Sequence, residues 1–523
     1  MTERQAADAD RLTVPQPFDA HSYLEANAAR APDSVAVWQN DAETTFAQLR
    51  ELVWGLIDEL RRHRVGDGAV VAVALPNVRQ YVALEIAVPA TGATLFPLPM
   101  GIGHRELRSV LQRSGAVLLI TDGSPTGDGL AQVAAALEPA PAVMLAQDLE
   151  RAAQAVPPEL RPATAPPDPD RIVQIALTSG TTGMPKLASL SARLKQLTFE
   201  GFTGRLRIAA EDRMFPMSPI TQGAGEMCLY ALRCGAAMVM LQDRFEPERA
   251  LAIAEQSRTT VLGGVPTMLA RLLHSPALQT TSLERLRLTI SAGAPLPAGL
   301  AREWEERTGS PVGSFYGAMD IGQLSVPDPE DPPEKRWTTV GRPHDTAQWR
   351  ICGPDGSALG PGETGGICMR GPLVQDRYWD DATTPYDPDG WAHFGDLGFV
   401  DAEGFLHITG RLKDTIIRGG NNINPLEVEE VLRAHPRVRD VCVVGRPDQD
   451  LGERAVAFVA PMPGQQVALE DLLLFLDQQG LTRYKWPEWV ELVEQLPTGP
   501  TGKVDRRTLR ARAAELPIEV PRR

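Results

Sequence analysis

Residues 178–186 read TSGTTGMPK, a stretch that combines four hydroxyl side chains with two glycines and a lysine. Glycines let a backbone turn inward and present successive N–H groups to an anion, and the hydroxyls add further donors. The lysine adds a positive charge, so the composition suits a polyphosphate. A Walker-type P-loop is excluded because its GK[ST] ending is missing. Taken alone, the stretch also fits an ordinary surface connection.

Two more polar side chains lie in short glycine-containing segments. Asp396 occurs in HFGDLG, ahead of a turn at DAEG. A carboxylate there could accept hydrogen bonds from both hydroxyls of a ribose, or it could cap the turn. Lys503 ends the segment LPTGPTGK. The surrounding loop could carry this cation into a cleft, or the lysine could be one more surface charge.

The elements that must position these residues alternate between helical and strand patterns. AETTFAQLRELVWGLIDELRRH has apolar residues at helical spacing, with Thr44 or Thr45 as the cap, and AVVAVALP follows as a buried strand. AVLLITD and AVMLAQD are further candidates for short buried strands. After the loop, AAMVML, TTVLGGVP and LRLTISAGAPL continue the alternation. This order predicts an α/β fold with a mainly parallel sheet.

The pattern changes after residue 340. Short strands with turn signals, such as GGICMRG and GFVDAEGFLHITG, predict a small antiparallel, β-barrel-like subdomain. A new α/β unit begins with LKDTIIRGGNNINPLEVEEVLRAHPRVRDVCVVG. We therefore predict a large N-terminal domain over residues 1–410 and a small C-terminal α/β domain over residues 411–523.

Composition restricts the class of protein. The chain has 523 residues, 43% of them apolar, so it can build large cores without metal or disulfide links. Its five cysteines have no CxxC spacing or evident histidine partner, which indicates reduced core residues. A net charge of −15 argues against nucleic-acid binding. The N-terminus lacks a signal-peptide pattern and no apolar run is long enough for a membrane span, so the cytoplasm is the expected location.

Several segments together resemble the adenylate-forming superfamily of acyl- and aryl-CoA ligases, peptide-synthetase adenylation domains and luciferase. Besides TSGTTGMPK, eight segments resemble motifs of this family and follow one another in the same order as in its members: SAGAPL (291–296), FYGAMD (315–320), VGRP (340–343), GETGGI (362–367), GWAHFGDLG (390–398), GRLKD (410–414), RGGNNINPLEVEEVL (418–432) and LPTGPTGK (496–503). The resemblance covers nearly the whole chain. It is nearest to the stand-alone acyl-CoA synthetases.

The resemblance implies a set of roles in handling ATP. The loop would hold the β- and γ-phosphates, Asp396 the ribose with Arg411 beside it, and Lys503 would bridge the substrate carboxylate and the α-phosphate. Asp320 would help to hold Mg²⁺. The nucleotide-binding residues implied in this way are Thr178, Ser179, Gly180, Thr181, Thr182, Gly183, Lys186, Gly293, Ala294, Pro295, Tyr316, Gly317 and Met319.

The resemblance also implies a second half-reaction with coenzyme A. Lys413 lies where the family has an interdomain hinge, about which the small, mobile C-terminal domain rotates between the two steps. Gly419 and Gly420 lie where that rotation brings the pantetheine thiol to the adenylate. Glycines suit a narrow tunnel because they add no side chains.

The chain departs from the family pattern at two places. The motif YGxTE appears as YGAMD, so Met319 replaces a hydrogen-bond donor and Asp320 shortens the acidic side chain. In the acyl pocket, SPITQGAGEM (218–227) replaces a segment that has an aromatic or histidine residue in many members. Small residues there would leave volume for the acid. The pocket residues expected on this basis are Ile220, Thr221, Gln222, Gly223, Gly225, Gly264 and Ala318.

We therefore expect an acid–CoA ligase that activates a bulky, largely apolar carboxylic acid as acyl-AMP and transfers it to CoA. Its cofactors would be ATP, Mg²⁺ and coenzyme A. Met319 and Asp320 leave open an enzyme that retains only the thioester-forming step. A separate carrier protein as acceptor, an unusual acid such as nitrite, and a silent nucleotide- or acyl-binding protein are the remaining alternatives.

Overall fold

The computed structural model describes residues 19–516, with gaps at 154–155, 167, 179–184, 222, 243, 320–321, 376, 381–383, 419–420, 449–450 and 499–502. The side chains of residues 224 and 422 are also outside the description. The chain divides into two compact units. The first comprises Met1–Trp349 and Met369–Ala392, and the second comprises Arg350–Cys368 and His393–Arg523.

The first unit is an alternation of helices and strands. Its helices are α1 (Ala20–Arg30), α2 (Phe46–Arg62), α3 (Arg79–Ala90), α4 (His104–Ser114), α5 (Pro125–Ala135), α6 (Ala146–Ala152), α7 (Ala192–Arg205), α8 (Gly223–Cys228), α9 (Pro247–Gln256), α10 (Pro266–His274), α11 (Ala298–Thr308) and α12 (Pro333–Thr338). Its strands are β1 (Val35–Gln39), β2 (Ala42–Thr45), β3 (Val70–Val73), β4 (Thr94–Pro97), β5 (Leu118–Thr121), β6 (Ala142–Leu145), β7 (Ile172–Thr178), β8 (Lys186–Ser191), β9 (Arg213–Pro216), β10 (Ala237–Met240), β11 (Val261–Gly264), β12 (Leu288–Ser291), β13 (Val312–Ser314), β14 (Tyr316–Ala318), β15 (Gly322–Val326) and β16 (Arg342–Pro343).

Two mainly parallel sheets form the body of the first unit. One has the order β13-β12-β11-β9-β10-β1-β2, and the other has the order β6-β5-β3-β4-β7-β8. Within each sheet only the last pair, β1–β2 or β7–β8, is antiparallel. A buried apolar cluster includes residues of both sheets together with α2 and α3. The prediction of an α/β fold with mainly parallel sheets is confirmed.

Helix α2 shows how the sequence specifies an element. The Thr45 hydroxyl accepts a hydrogen bond from the Gln48 backbone N–H, and the Gln48 side chain accepts one from the Thr45 N–H. This reciprocal capping box satisfies two N–H groups that the helix leaves without internal partners. Leu49, Val53 and Ile57 then bury one face of the helix. Thr45, one of the two expected caps, is therefore the actual cap.

The second unit contains most of a four-stranded sheet and all of a five-stranded one. Its elements, including three strands (β17, β18 and β19) that extend across the division, are β17 (Gln348–Cys352), β18 (Gly365–Arg370), β19 (Ala392–Val400), β20 (Leu406–Arg411), β21 (Ile416–Arg418), β22 (Asn421–Ile423), α13 (Pro425–Arg433), β23 (Val438–Asp448), β24 (Gly452–Pro461), α14 (Leu469–Gln478), β25 (Trp489–Leu492) and α15 (Arg506–Glu515). The four-stranded sheet has the order β17-β18-β19-β20. The barrel-like element expected after residue 340 is thus an open sheet over the described residues.

Two sequence expectations differ from the structure in detail. AVMLAQD was expected to be buried, but strand β6 is exposed at its first two residues, and the segment turns into helix α6 at Ala146. The contact-based division also places strands β19 and β20 with the C-terminal residues, whereas the predicted domain boundary follows Gly410. The hinge at Lys413 stays a prediction.

Over the described ranges, none of the helices combines the length and the apolar character that crossing a membrane requires.

Candidate active site

The side chains of Asp396 and Arg411 form an ion pair in the second unit. The two residues are register partners in the antiparallel strands β19 and β20, so their side chains lie on the same face of the sheet. Arg411 Nε lies 2.9 Å from Asp396 Oδ1. Asp396 is only 8% exposed, whereas Arg411 is exposed. The sheet thus presents a largely buried carboxylate beside an accessible guanidinium.

Lys503 lies close enough to this pair to sense its charges. Burial of the ammonium group and the nearby Arg411 lower the pKa of Lys503, while Asp396 acts to raise it. The side chain nevertheless retains an exposed surface. An isolated bridge between Thr498 and Val504 and the Asp505 cap of helix α15 hold the backbone on either side of the lysine. Asp396 and Arg411 therefore form a pair whose charges act on Lys503, and we refer to these three residues as the polar cluster; their roles toward ATP stay predictions.

The expected hinge residue Lys413 lies in a short 3₁₀ turn directly after strand β20. Its side chain is exposed. The next residue, Asp414, is held by Arg510 of helix α15, with 2.7 Å between Oδ1 and the guanidinium nitrogen. Gly419 and Gly420, the expected contacts of the CoA thiol, lie outside the described residues.

Thr178 and Lys186 mark the two ends of the expected phosphate loop. They are register partners at the tip of the β7–β8 hairpin, so residues 179–185 connect two antiparallel strands. Lys186 Nζ lies 3.3 Å from Tyr378 Oη and 4.4 Å from the centroid of its ring. Ser179, Gly180, Thr181, Thr182 and Gly183 are outside the described residues.

A second group of expected nucleotide contacts follows neighbouring strand ends. Gly264, Ser291 and Ser314 are aligned partners at the carboxyl ends of the parallel strands β11, β12 and β13. Chain segments 293–295 and 316–318 follow two of these ends. This edge is where open α/β sheets bind ligands. Gly293 has φ +81°, a left-handed conformation that favours glycine.

The departure at Met319 has a packing explanation. Its partly buried side chain packs against a small apolar cluster formed by Ala176, Ala188, Leu190 and Leu194. An unbranched thioether suits such a contact.

Asp320, the expected Mg²⁺ contact, lies outside the described residues, as does Gln222. Over the described part of the chain, no group of three or more histidine, cysteine or acidic side chains could hold a metal ion.

The expectation that small residues leave volume for the acid is wrong at two of the expected pocket positions. A Cβ added at Gly225 would lie 2.2 Å from the Pro219 carbonyl oxygen, and one at Gly264 would lie 2.7 Å from Met217 Cε. At Gly225 the close atoms belong to the backbone, so no side chain fits there; at Gly264 the close atom is the end of the Met217 side chain, which occupies the space.

The other expected pocket residues have different surroundings. Ile220 is fully buried and belongs to the main apolar core, and Thr221 is buried beside it. The Ile220 backbone N–H donates to Asn77 Oδ1 at 2.9 Å. Gly223 has no atom within 4 Å of an added Cβ. Ala318 is partly buried in strand β14. Gly223 therefore has open space beside it, but its φ of +45° also favours glycine.

A buried cluster of charged residues lies next to this segment and escaped the sequence analysis. Lys195 of helix α7 places Nζ 3.0 Å from Glu226 Oε1 and 3.6 Å from Glu85 Oε1. Arg233 lies 3.2 Å from Glu85 Oε1. Glu226 follows Gly225 in helix α8, so the cluster supports the segment expected to contact the acid. A lysine within the apolar helix ARLKQLTFE was the available signal.

Comparisons with known proteins identify the family of the chain. The profile of the AMP-binding enzyme family matches residues 24–379, and that of the AMP-binding enzyme C-terminal domain matches residues 427–503. The chain is 34% identical over 490 residues to the feruloyl-CoA synthase of an Amycolatopsis species, covering 93% of this chain and 97% of that protein. It is 31% identical over 506 residues to the indoleacetate–CoA ligase of Aromatoleum aromaticum, covering 94% and 98%. ATP-bound MatB from Rhodopseudomonas palustris has a TM-score of 0.86 at 28% identity, covering 95% of this chain and 99% of that one.

The α/β units and these likenesses define an adenylate-forming ligase. The chain belongs to the AMP-binding enzyme family and is an ATP-dependent acyl-CoA synthetase, which joins a carboxylic acid to CoA. The alternative of a silent nucleotide- or acyl-binding protein is therefore set aside.

Proposed function

We propose that this enzyme activates a bulky, largely apolar, ring-containing carboxylic acid as its acyl-adenylate and transfers the acyl group to CoA. The observation that carries the proposal is the cluster of Asp396, Arg411 and Lys503. It combines one carboxylate with two cations. The carboxylate suits the hydroxyls of a ribose, and the cations suit a neighbouring phosphate on which negative charge develops during the reaction.

The first half-reaction is an in-line displacement at the α-phosphorus of ATP. The acid's carboxylate oxygen attacks, the bond to the bridging oxygen breaks, and pyrophosphate leaves. Lys503 would neutralise charge shared by the carboxylate and the α-phosphate, and Asp396 would accept hydrogen bonds from the ribose. Burial and Arg411 lower the pKa of Lys503 while Asp396 acts to raise it, and the assigned role requires the ammonium form.

The phosphate end of the nucleotide would be held by the loop between Thr178 and Lys186. We assign contacts with the nucleotide base and its surroundings to Gly293, Ala294, Pro295, Tyr316 and Gly317, at the carboxyl edge of the large sheet. Mg²⁺ would enter with ATP and neutralise phosphate charge, with Asp320 as its protein contact.

In the second half-reaction the CoA thiolate attacks the acyl carbon and AMP leaves. We assign the approach of the thiol to Gly419 and Gly420, with the change of orientation centred on Lys413. A protein-bound pantetheine would present the same thiol, so a carrier protein remains an alternative acceptor. We place the reaction in the cytoplasm, where reduced cysteines are stable.

The proposal of a ring-containing acid rests on relatives rather than on the glycine positions. The relatives at 34% and 31% identity are named for feruloyl and indoleacetyl groups, both of which carry an aromatic ring. An enzyme that performs only the thioester step is the second candidate, favoured by the packing of Met319 in an apolar cluster.

Replacing Lys503 with alanine tests the assignment of the first step. Pyrophosphate release should fall roughly 30- to 1000-fold, because one fixed cation at the transition state contributes about 2–4 kcal/mol. Thioester formation from a synthetic acyl-adenylate and CoA should persist. Lys485→Ala is the matched control, since that lysine pairs with Glu427 in the same unit. Equal loss of both steps, or loss of neither, would contradict the assignment.

A further inference from the structure

Two cysteines of the second unit lie next to each other although sixteen positions separate them in the sequence. Cys352 ends strand β17, and Cys368 lies in the neighbouring strand β18. Their Sγ atoms are 2.7 Å apart, well inside the contact distance of two nonbonded sulfur atoms. Both residues are buried, and no disulfide links them. The prediction of reduced cysteines is confirmed, but the expectation that none has a histidine partner is wrong for Cys368, which lies beside His393.

Each thiol has a basic side chain beside it. Arg350 Nε lies 3.1 Å from Cys352 Sγ, and His393 Nδ1 lies 3.3 Å from Cys368 Sγ. The thiolate is the reactive form of cysteine, and an imidazole nitrogen beside a thiol is placed to accept its proton. His393 is exposed, so its ring connects the buried sulfur atoms with solvent.

We propose that Cys352 and Cys368 form an oxidation site that closes into an intramolecular disulfide on reaction with a hydroperoxide. Cys368 transfers its proton to His393 Nδ1, and the thiolate attacks one peroxide oxygen. The O–O bond breaks, and Cys368 becomes a sulfenic acid. Cys352 then attacks that sulfur and displaces water, so two thiols and one hydrogen peroxide yield one disulfide and two water molecules.

The remaining cysteines provide the contrast that makes the site specific. Burial raises the pKa of Cys228 to about 12, and burial together with Glu429 raises that of Cys442 to about 12. Burial also raises the pKa of Cys234. High-pKa thiols in apolar surroundings are inert.

A disulfide here would need only a small local movement. Bonded sulfur atoms are about 2 Å apart, so the two Sγ atoms are already most of the way to bonding distance. The bond would join strands β17 and β18 at the side of the sheet opposite to β20, which carries Arg411. Formation of the disulfide therefore uses none of the residues of the polar cluster.

The test is oxidation of the whole protein by hydrogen peroxide at a small molar excess, followed by blocking of thiols and digestion without reductant. Mass spectrometry should find the peptides of Cys352 and Cys368 joined. Titration of the denatured protein should count three thiols instead of five, because two of the five cysteines are consumed. Dithiothreitol should restore five.

Variants separate the site from general oxidation. Cys442→Ser should still form the linked peptide, Cys368→Ser should not, and His393→Gln should slow its formation severalfold while leaving the final yield unchanged. The wild-type mass measurement needs no variant to fold. Five thiols after oxidation, or sulfinic acids at these positions without a linked peptide, would overturn the proposal.

Discussion

Replacing Lys195 with methionine removes one charge from the buried cluster beneath the acid-binding segment. The Lys195 side chain is 2% exposed, and its Nζ lies 3.0 Å from Glu226 Oε1; methionine keeps most of the apolar stem but loses the ammonium group. The Lys195 ammonium also donates to the Gln174 side chain. Two carboxylates and two cations balance in the native cluster, so the variant leaves one negative charge buried without compensation.

The size of the effect follows from these distances. At 3.0 Å and an effective dielectric constant of about 20, the attraction to Glu226 is about 5 kcal/mol, partly offset by the cost of burying the ammonium. Burial acts to lower the pKa of Lys195, but Glu226, Tyr230 and Glu85 outweigh it and raise the pKa. The net interaction is therefore stabilising. Breaking such a buried pair typically costs about 3–5 kcal/mol.

Guanidinium unfolding, followed by the fluorescence of buried tryptophans, measures this loss. Lys195→Met should lower the free energy of unfolding of the first unit by about 3–5 kcal/mol. Adding Glu226→Gln removes the uncompensated charge, so the double variant should be at least about 2 kcal/mol more stable than Lys195→Met alone. A loss below about 1 kcal/mol, or strictly additive effects, would refute the reasoning.

Other predictions concern single groups. The buried imidazole of His344 has its pKa lowered to about 4 by burial and by Arg205, so the unfolded chain binds a proton between roughly pH 6.5 and 4 that the folded chain excludes. The free energy of unfolding should therefore decrease as the pH is lowered through that range, by about 2 kcal/mol at pH 5. Unfolding experiments at pH 5 and 7.5 should show that His344→Gln removes this part of the loss. Asp396→Asn should raise the KM for ATP about ten- to hundredfold, because it weakens hydrogen bonds to a charged acceptor; an unchanged KM would remove Asp396 from the nucleotide site. Thr45→Ala should cost about 1 kcal/mol of stability by deleting the cap of helix α2, measured by denaturant unfolding; no measurable change would mean that packing alone positions the helix.

Local sequence signals predicted the local parts of the structure. The cap at Thr45 and the strand ending at Gly264 each depend on residues within a few positions, and both were identified correctly as elements. The resemblance to family motifs led us to expect Arg411 beside Asp396. The pairing is also local, because a short turn joins strands β19 and β20.

Long-range packing accounts for the errors. Gly225 could either leave open space for the acid or allow a neighbouring carbonyl to approach its backbone. Which of the two applies depends on Pro219 and the position of helix α8, which one sequence does not reveal. The contact of Cys352 with Cys368 likewise requires the order of strands β17 and β18. The compensation of Lys195 depends on Glu85 and Glu226, which other helices supply. Each of these contacts joins segments whose spacing contains no periodic signal.

The central claim is tested most directly by mass-spectrometric detection of acyl-CoA in two parallel mixtures. One mixture contains the enzyme, ATP, Mg²⁺, CoA and a pool of ring-containing carboxylic acids; the other replaces ATP and acids with synthetic acyl-adenylates. We expect acyl-CoA in both, with the first mixture revealing the preferred acid. Product from the adenylates alone would favour the thioester-only enzyme. Absence of acyl-CoA from both mixtures would contradict the account.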